Sequence, residues 1–155
     1  MFNLEEHLEN IQEIHSHQNR KWDKDVPYWI HPLWCATMIL SEPLLTEEQR
    51  HTGALALLYH DSLEAGGGVP PKVFRLVQDM TFDGFDAEMQ LLMSKPDFVI
   101  LLKLYDKVSN LLDGHWMTKQ RYDEYRLHTL RILSHVKEVY GNLQICEIAK
   151  AVVYG

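Results

Sequence analysis

The chain has 155 residues, 46% of them hydrophobic and 24% charged, as expected for one globular domain that can bury a core. Its formal net charge of −7 argues against a broad nucleic-acid or anionic-membrane surface, since both need clusters of basic residues. No apolar run approaches the length of a membrane span, and the acidic, amphipathic start is unlike a signal peptide. Cys35 and Cys146 lie in apolar helical patterns, which favours buried thiols in a reducing cytoplasm.

Helical periodicity dominates the chain and predicts eight helices. In chain order they cover Leu4–Ile14, residues 31–40, Thr46 to about Glu64, Pro70 to about Gln78, a short stretch around 87–93, and residues 97–112, 118–140 and 143–154. Thr46 and Gln49 are spaced as in a capping box. Residues 97–112 begin like a strand, but their pattern is too long for one and no neighbouring strand could pair with them. The sequence predicts a single all-α domain over residues 1–155.

Four polar residues interrupt apolar faces: His31, His60, Asp61 and Asp106. Each alone has an ordinary explanation, because a histidine on an apolar face is usually a hydrogen-bonded core residue. Asp106 is harder to explain in this way, since it follows a run of apolar residues and buried carboxylates are rarely left unpaired. Two imidazoles and two carboxylates form a mixed set of ligands that suits Mn²⁺, Fe²⁺, Co²⁺ or Zn²⁺. Such an ion makes hydroxide available near neutral pH.

The order His…His-Asp…Asp resembles the signature of the HD phosphohydrolase superfamily. Residues 62–105 contain no histidine, and the additional histidines of dinuclear members fall in this interval, so a single metal is expected. The stretch "RKWDKDVPYWIHP" is similar to the first motif of the RelA/SpoT-type alarmone hydrolases, manganese enzymes that remove the 3′-pyrophosphate of ppGpp. "GALALLYHDSLE" and "LLKLYDKVSNL" are similar to two later motifs. The resemblance implies an all-α HD-domain helical bundle.

The resemblance also implies roles for individual residues. The implied ligands of one divalent ion, Mn²⁺ or alternatively Fe²⁺, Co²⁺, Zn²⁺ or Ni²⁺, are His31, His60, Asp61 and Asp106. Glu64 and Asp61 would be the catalytic carboxylates, with Glu64 beside the metal-activated water. Glu64 follows His60 by four residues, which on a helix places both side chains on one side. The residues implied to bind the nucleotide are Arg20, Lys21, Lys103, Lys107 and Asn110.

Ala65 departs from the family pattern, in which an aspartate follows the glutamate. The departure leaves three functions open: a (p)ppGpp-type 3′-pyrophosphohydrolase, another HD phosphohydrolase such as a nucleoside 5′-monophosphatase or cyclic-nucleotide phosphodiesterase, and a nucleotide-binding module with weak turnover. The set Arg20, Tyr28 and Asn110 argues against the second function, and the complete ligand set argues against the third. The expected partner is a small nucleotide, without nucleic acid or membrane, and an oligomer stays open. The histidines expected at the surface or the edge of the core are His7, His15, His17, His51, His115, His128 and His135.

Overall fold

The computed structural model describes residues 2–155, in which helices dominate. The α-helices are α1 (Leu4–Ile14), α2 (Ile30–Leu40), α3 (Glu47–Tyr59), α4 (Phe74–Met80), α5 (Phe85–Leu91), α6 (Asp97–Leu112), α7 (Lys119–Tyr140) and α8 (Gln144–Tyr154). The 3₁₀ turns are Pro71–Val73, Leu92–Ser94 and Gly114–Trp116, and the strands are β1 (Asn19–Arg20) and β2 (Asp23–Pro27). The predicted all-α class is confirmed. No helix within residues 2–155 is long and apolar enough to cross a membrane.

The chain divides into two units, the residues up to Thr81 and the residues from Phe82 onward. The first unit holds α1 to α4 with the two strands, and the second holds α5 to α8. Each unit has its own packed helices. The assignment of residues 1–155 to one domain therefore stays a prediction.

In the first unit, α3 packs against α1, α2 and α4. Its start is the predicted capping box, because the Thr46 hydroxyl accepts from the Gln49 N–H at 3.1 Å and the Gln49 side chain accepts from the Thr46 N–H at 2.9 Å. Side chains from the three larger helices, including Ile11, Cys35 and Leu57, are fully buried between them. Burial of this kind is the main source of stability for short helices.

The predicted end of α3 at about Glu64 is wrong, since the α-helix ends at Tyr59 and residues 60–66 form irregular turns. At this point a side chain takes part in the backbone hydrogen bonding. The Leu57 carbonyl accepts from His60 Nδ1 at 2.6 Å and from the His60 N–H at 3.4 Å. The next turn is tightened as well, because the Ser62 N–H donates to the Tyr59 carbonyl.

The glycine run after these turns lies against α1. Gly66 has a φ of +77°, which favours glycine. A Cβ placed on Gly67 would lie 2.7 Å from Cγ2 of Ile14, closer than side chains tolerate. The run therefore does more than end a helix, because Gly67 lets the backbone that follows the His-Asp pair approach α1 closely.

The antiparallel pairing of β1 with β2 was not predicted. Asn19 pairs with Pro27 and Arg20 with Asp23, with an irregular register between the two pairs. A strand of two residues is too short to show the alternation by which a sequence reveals strands. The ribbon nevertheless has a structural consequence, because it carries Arg20 in a buried position against the Tyr28 ring.

In the second unit, α6 packs against both α7 and α8. The prediction of a helix over residues 97–112 is confirmed. Most of α6 is buried, and three of its buried residues are charged: Lys103, Asp106 and Lys107. The neighbouring short elements differ from expectation only at their ends: the helix predicted from Pro70 begins as a 3₁₀ turn, and α5 begins before residue 87. Cys146 is a buried thiol, as predicted.

Candidate metal centre

His31 and His60 bring their imidazole rings together in the first unit. His31 lies in the first turn of α2, and His60 is the C-terminal cap of α3. Both side chains are buried, and their Nε2 atoms are 3.2 Å apart. The packing of α2 against α3 therefore joins two histidines that are far apart in the sequence.

Asp61 adds a carboxylate oxygen to the two imidazoles. Its Oδ2 atom lies 3.0 Å from His60 Nε2 and 3.6 Å from His31 Nε2. The three residues can place one ligand atom each within 4.8 Å of one another. We call His31, His60 and Asp61 the donor cluster.

A backbone hydrogen bond sets the protonation of His60. Its Nδ1 lies 2.6 Å from the Leu57 carbonyl oxygen, which can only accept, so Nδ1 carries the proton. In the neutral ring Nε2 then has its lone pair, and Nε2 is the atom that faces His31 and Asp61. Histidines that bind metals typically donate their second ring N–H to a carbonyl or carboxylate in this way.

The spacing of the donor cluster suits a transition metal ion. Two ligand atoms that each lie about 2.1 Å from one ion, at an angle of about 90–110°, are separated by roughly 3.0–3.4 Å. The Nε2–Nε2 distance of 3.2 Å and the distance of 3.0 Å from His60 to Asp61 fall in this range. The third separation, 3.6 Å, is only slightly larger. Two nitrogen ligands and one oxygen ligand also match the predicted choice among Mn²⁺, Fe²⁺, Co²⁺, Zn²⁺ and Ni²⁺.

Tyr28 connects the donor cluster to Arg20. The Tyr28 hydroxyl donates to Oδ2 of Asp61 at 2.7 Å. The guanidinium carbon of Arg20 lies 5.3 Å from the centre of the Tyr28 ring, within the range of a cation–π contact. Arg20 was predicted to bind the nucleotide. Of the other predicted residues in this unit, Lys21 and Glu64 are both exposed.

Asp106 lies in the second unit, where its carboxylate is bound by two lysines. Lys103 Nζ and Lys107 Nζ are each 3.0 Å from the same oxygen, Oδ2. The other oxygen, Oδ1, accepts from the Asn110 side chain at 3.2 Å. Lys103 and Lys107 are only 5% and 4% exposed. Lysines on helices usually extend their ammonium groups into solvent or form ion pairs at the surface, and these two do neither.

Glu88 on α5 completes this group of charges, although no pattern in the sequence predicts it. Its Oε1 lies 2.7 Å from Lys103 Nζ and its Oε2 lies 3.0 Å from Lys107 Nζ. His128 on α7 is 2.8 Å from the same Oε2. Two carboxylates thus face two ammonium groups, which balances the charge. We call Glu88, Lys103, Asp106 and Lys107 the ion-pair cluster.

The ion-pair cluster shifts the pKa values of its members. Burial alone would raise the pKa of Glu88, but Lys107, Lys103 and the hydrogen bond from His128 lower it to about 2. Burial opposes the charge of Lys107, yet Asp106 and Glu88 hold its pKa well above the ordinary value. For Tyr125, whose hydroxyl accepts from Lys107 and Asn110, burial is the main cause of a raised pKa.

Two of the histidines expected at the surface or the edge of the core are buried instead. His15 is 1% exposed and lies beside Tyr28, with a distance of 5.0 Å between ring centres. His128 is 2% exposed and bound to Glu88. The expectation is wrong because a polar partner makes burial of an imidazole tolerable, and Gln18 binds Nδ1 of His15 while Glu88 binds Nε2 of His128.

The structure brings together three of the four predicted metal ligands. His31, His60 and Asp61 form the donor cluster of the first unit, and Asp106 belongs to the ion-pair cluster of the second. Lys103, Lys107 and Asn110 all contact Asp106. No spacing in the sequence indicates Glu88 as a site residue. The available signal is the pair Lys103 and Lys107, because two lysines one turn apart in an apolar helix indicate buried anionic partners.

No family model matches the chain, and no curated protein matches its sequence significantly. One similar solved structure has a TM-score of 0.75 and 21% sequence identity, over 97% of this chain and 93% of that chain. It is the structure of a metazoan ortholog of SpoT, described as hydrolysing ppGpp and playing a role in starvation responses. The resemblance first seen in short motifs is therefore confirmed for the architecture, and this chain has the helical HD fold.

Proposed function

We propose that the chain is a metal-dependent phosphohydrolase that acts on a nucleotide, with ppGpp as its substrate and removal of the 3′-pyrophosphate as its reaction. The observation that carries the proposal is the donor cluster, in which the ligand atoms of His31, His60 and Asp61 lie within 4.8 Å of one another. The proposal is supported by the likeness to a structure whose protein hydrolyses ppGpp, and by motifs similar to those of alarmone hydrolases.

In this proposal the donor cluster holds one divalent ion, with Mn²⁺ as the first choice. Such an ion supplies Lewis-acid chemistry: it lowers the pKa of water and polarises a phosphoryl oxygen. His60 serves as a neutral ligand through Nε2 because its Nδ1 proton is bound to the Leu57 carbonyl. Asp61 provides negative charge, and Tyr28 holds its carboxylate. Asp106 remains the predicted fourth ligand.

Glu64 is the proposed general base. It is exposed and follows the donor cluster by three residues, in the turns after α3. A solvent-accessible carboxylate at this position can take a proton from the attacking water and release it to solvent. Asp61, the other predicted catalytic carboxylate, contributes to catalysis in this scheme by binding the ion.

The nucleotide contacts are proposed on the basis of the resemblance and local geometry. Arg20 lies over the Tyr28 ring, in the unit that carries the donor cluster. Its planar guanidinium is the group proposed to contact the nucleotide. Asn110 is expected to contact the ribose. Lys103 and Lys107 were also predicted to bind the nucleotide. Their ion pairs with Glu88 and Asp106 favour a different role, in which the two lysines neutralise these carboxylates and do not bind phosphate.

The proposal is tested by loading the protein with Mn²⁺, incubating it with ppGpp, nucleoside 5′-monophosphates and cyclic nucleotides, and separating the products by chromatography. Water should add across the 3′ P–O bond of ppGpp and give GDP and pyrophosphate in equal amounts. The matched control is the His60→Ala protein treated in the same way, which should give no product. Equal turnover by the two proteins, or no hydrolysis of any nucleotide by the wild type, would contradict the proposal.

A second candidate, another HD phosphohydrolase, is favoured by Ala65. The alarmone hydrolases that the chain resembles have an aspartate here, and a group that orients water or accepts a proton typically contributes roughly 10²–10⁴-fold to the rate. Wild-type hydrolysis of ppGpp should therefore be slow, and Ala65→Asp should raise it at least about tenfold. If Ala65→Asp gives no gain on ppGpp while the wild type cleaves a monophosphate or cyclic nucleotide well, the second candidate replaces the first.

A further inference from the structure

We propose that Tyr28 is a positioning residue with two separable functions, an inference that rests on the proposed metal-dependent hydrolase. Its hydroxyl holds one carboxylate oxygen of Asp61 toward the two imidazoles of the donor cluster. Its ring holds the guanidinium of Arg20. Tyr28 thus connects the binding of the ion to the binding of the nucleotide through a single side chain.

The hydroxyl acts on one particular atom. It donates to Oδ2 of Asp61 at 2.7 Å, and Oδ2 is also the oxygen that lies 3.0 Å from His60 Nε2 and 3.6 Å from His31 Nε2. An aspartate side chain can rotate and exchange its two oxygens. The hydrogen bond from Tyr28 restrains that rotation, so that Oδ2 stays directed at the imidazoles. Outer partners of this kind orient metal ligands, and their loss typically lowers metal affinity about 10–100-fold.

The Tyr28 ring is held in place by its surroundings. The buried His15 ring lies 5.0 Å away between centres, and the His31 ring is steeply inclined to the Tyr28 ring at 5.9 Å between centres. The Tyr28 N–H donates to the Gln18 carbonyl at 3.0 Å, and the Gln18 N–H donates to the His15 carbonyl at 3.0 Å. With its backbone and ring both restrained, Tyr28 can fix Asp61 without first losing much conformational freedom.

The second function needs only the ring. The guanidinium carbon of Arg20 is 5.3 Å from the ring centre, and a cation–π contact depends on the aromatic face rather than on the hydroxyl. Removal of the hydroxyl alone should therefore change the affinity for the metal and leave Arg20 in place. Removal of the whole ring should also release Arg20 and weaken the binding of the nucleotide.

The experiment compares Tyr28→Phe and Tyr28→Leu in the full chain, with Co²⁺ as the probe ion. Co²⁺ affinity is measured by competition with a chelator, and the geometry of the bound ion is followed by visible absorption. Tyr28→Phe should lower Co²⁺ affinity about 10–100-fold and alter the spectrum, while the KM for ppGpp at saturating metal stays at the wild-type value. Tyr28→Leu should lower the affinity to a similar extent and also raise KM.

Tyr59→Phe is the matched control. Tyr59 lies in the same unit and is buried, and its hydroxyl is bound to His7 at 2.9 Å and to Asn10 at 3.2 Å, away from the donor cluster. Its loss should leave Co²⁺ affinity and spectrum unchanged, so general loosening of the unit is distinguished from loss of positioning. Far-UV circular dichroism checks that each variant is folded, and the conclusion rests on the conservative Tyr28→Phe change.

Two results separate this inference from the proposed function. If the wild-type chain binds Co²⁺ and Tyr28→Phe binds it equally well with the same spectrum, the role of the hydroxyl is overturned and the proposed function stands. If the wild-type chain binds neither Co²⁺ nor Mn²⁺, the proposed function fails, and the inference fails with it. A rise in KM for Tyr28→Phe equal to that for Tyr28→Leu would overturn the separation of the two functions.

Discussion

The two polar clusters of the molecule are built on opposite principles. Around Asp61 lie two imidazoles and a phenol hydroxyl, and three ligand atoms converge within 4.8 Å. Around Asp106 lie two ammonium groups, which Glu88 also shares, so two positive and two negative charges balance. The first arrangement suits a cation from outside, whereas the second contains cations of its own.

The difference shows that a buried carboxylate in an apolar helix indicates a nearby cation without saying which cation. From the sequence, Asp106 is the hardest of the four predicted ligands to explain without a metal, because it follows a run of apolar residues. In the structure its Oδ2 is bound by Lys103 and Lys107. The donor cluster is now the better evidence for a metal, because it depends on the convergence of several donors rather than on the burial of one charge.

The largest expected effect distinguishes the two clusters at Asp106. If Asp106 is the fourth ligand, Asp106→Ala removes metal and activity together. It should also lower the free energy of unfolding by about 3–5 kcal/mol, because two buried lysines lose a partner. Metal content by elemental analysis and stability by urea unfolding, both on the soluble variant, check this prediction. Wild-type metal content in a destabilised Asp106→Ala protein would assign Asp106 to the ion-pair cluster alone.

The second effect concerns the pH dependence of the ion-pair cluster. The folded pKa of Glu88, about 2, is below its unfolded value of 4.5. The stabilisation by the charged form is therefore complete above pH 4.5 and is lost as the pH falls toward 2. The size of this loss is about 3 kcal/mol.

Urea unfolding of the wild type and Glu88→Gln between pH 7 and pH 2.5 measures this effect. Other carboxylates titrate in the same range and are common to both proteins, so the difference between the two curves isolates Glu88. The stability advantage of the wild type should shrink as the pH falls. A constant difference over this range would mean that the charge of Glu88 does not stabilise the cluster.

The smallest effects are expected at the residues proposed to contact the nucleotide. Arg20→Ala and Asn110→Ala should each raise the barrier measured by kcat/KM by about 1–3 kcal/mol while leaving metal content unchanged. Lys24→Ala serves as the surface comparison for Arg20, since Lys24 is an exposed cation on the same two-stranded ribbon. Unchanged kcat/KM in both Arg20→Ala and Asn110→Ala would show that these residues do not contact the nucleotide.

Most of the helices were predictable because their apolar residues recur at helical spacing, as from Leu4 to Ile14 and over residues 97–112. The end of α3 was not, because it depends on a bond from the His60 side chain to the Leu57 carbonyl. The ribbon around Arg20 was missed because its first strand has only two residues. Local patterns carry no information on such contacts.

The candidate site was predictable to the extent that it follows short motifs. The grouping of His31 with His60 and Asp61 was expected from the order of these residues and is present in the structure. Glu88 could not be identified, because it is one of two acidic residues on a seven-residue helix and its partners come from α6 and α7. Pairing across elements becomes visible only once the helices are packed.

Titration of the metal-free protein with Mn²⁺ and Co²⁺ measures whether the donor cluster binds one divalent ion. The wild type should bind one ion per chain, and His31→Ala, His60→Ala and Asp61→Ala should each lose that binding. His135→Ala should retain it, because His135 pairs with Asp97 in the second unit. Absence of binding by the wild type, or unchanged binding by all three cluster variants, would contradict the account.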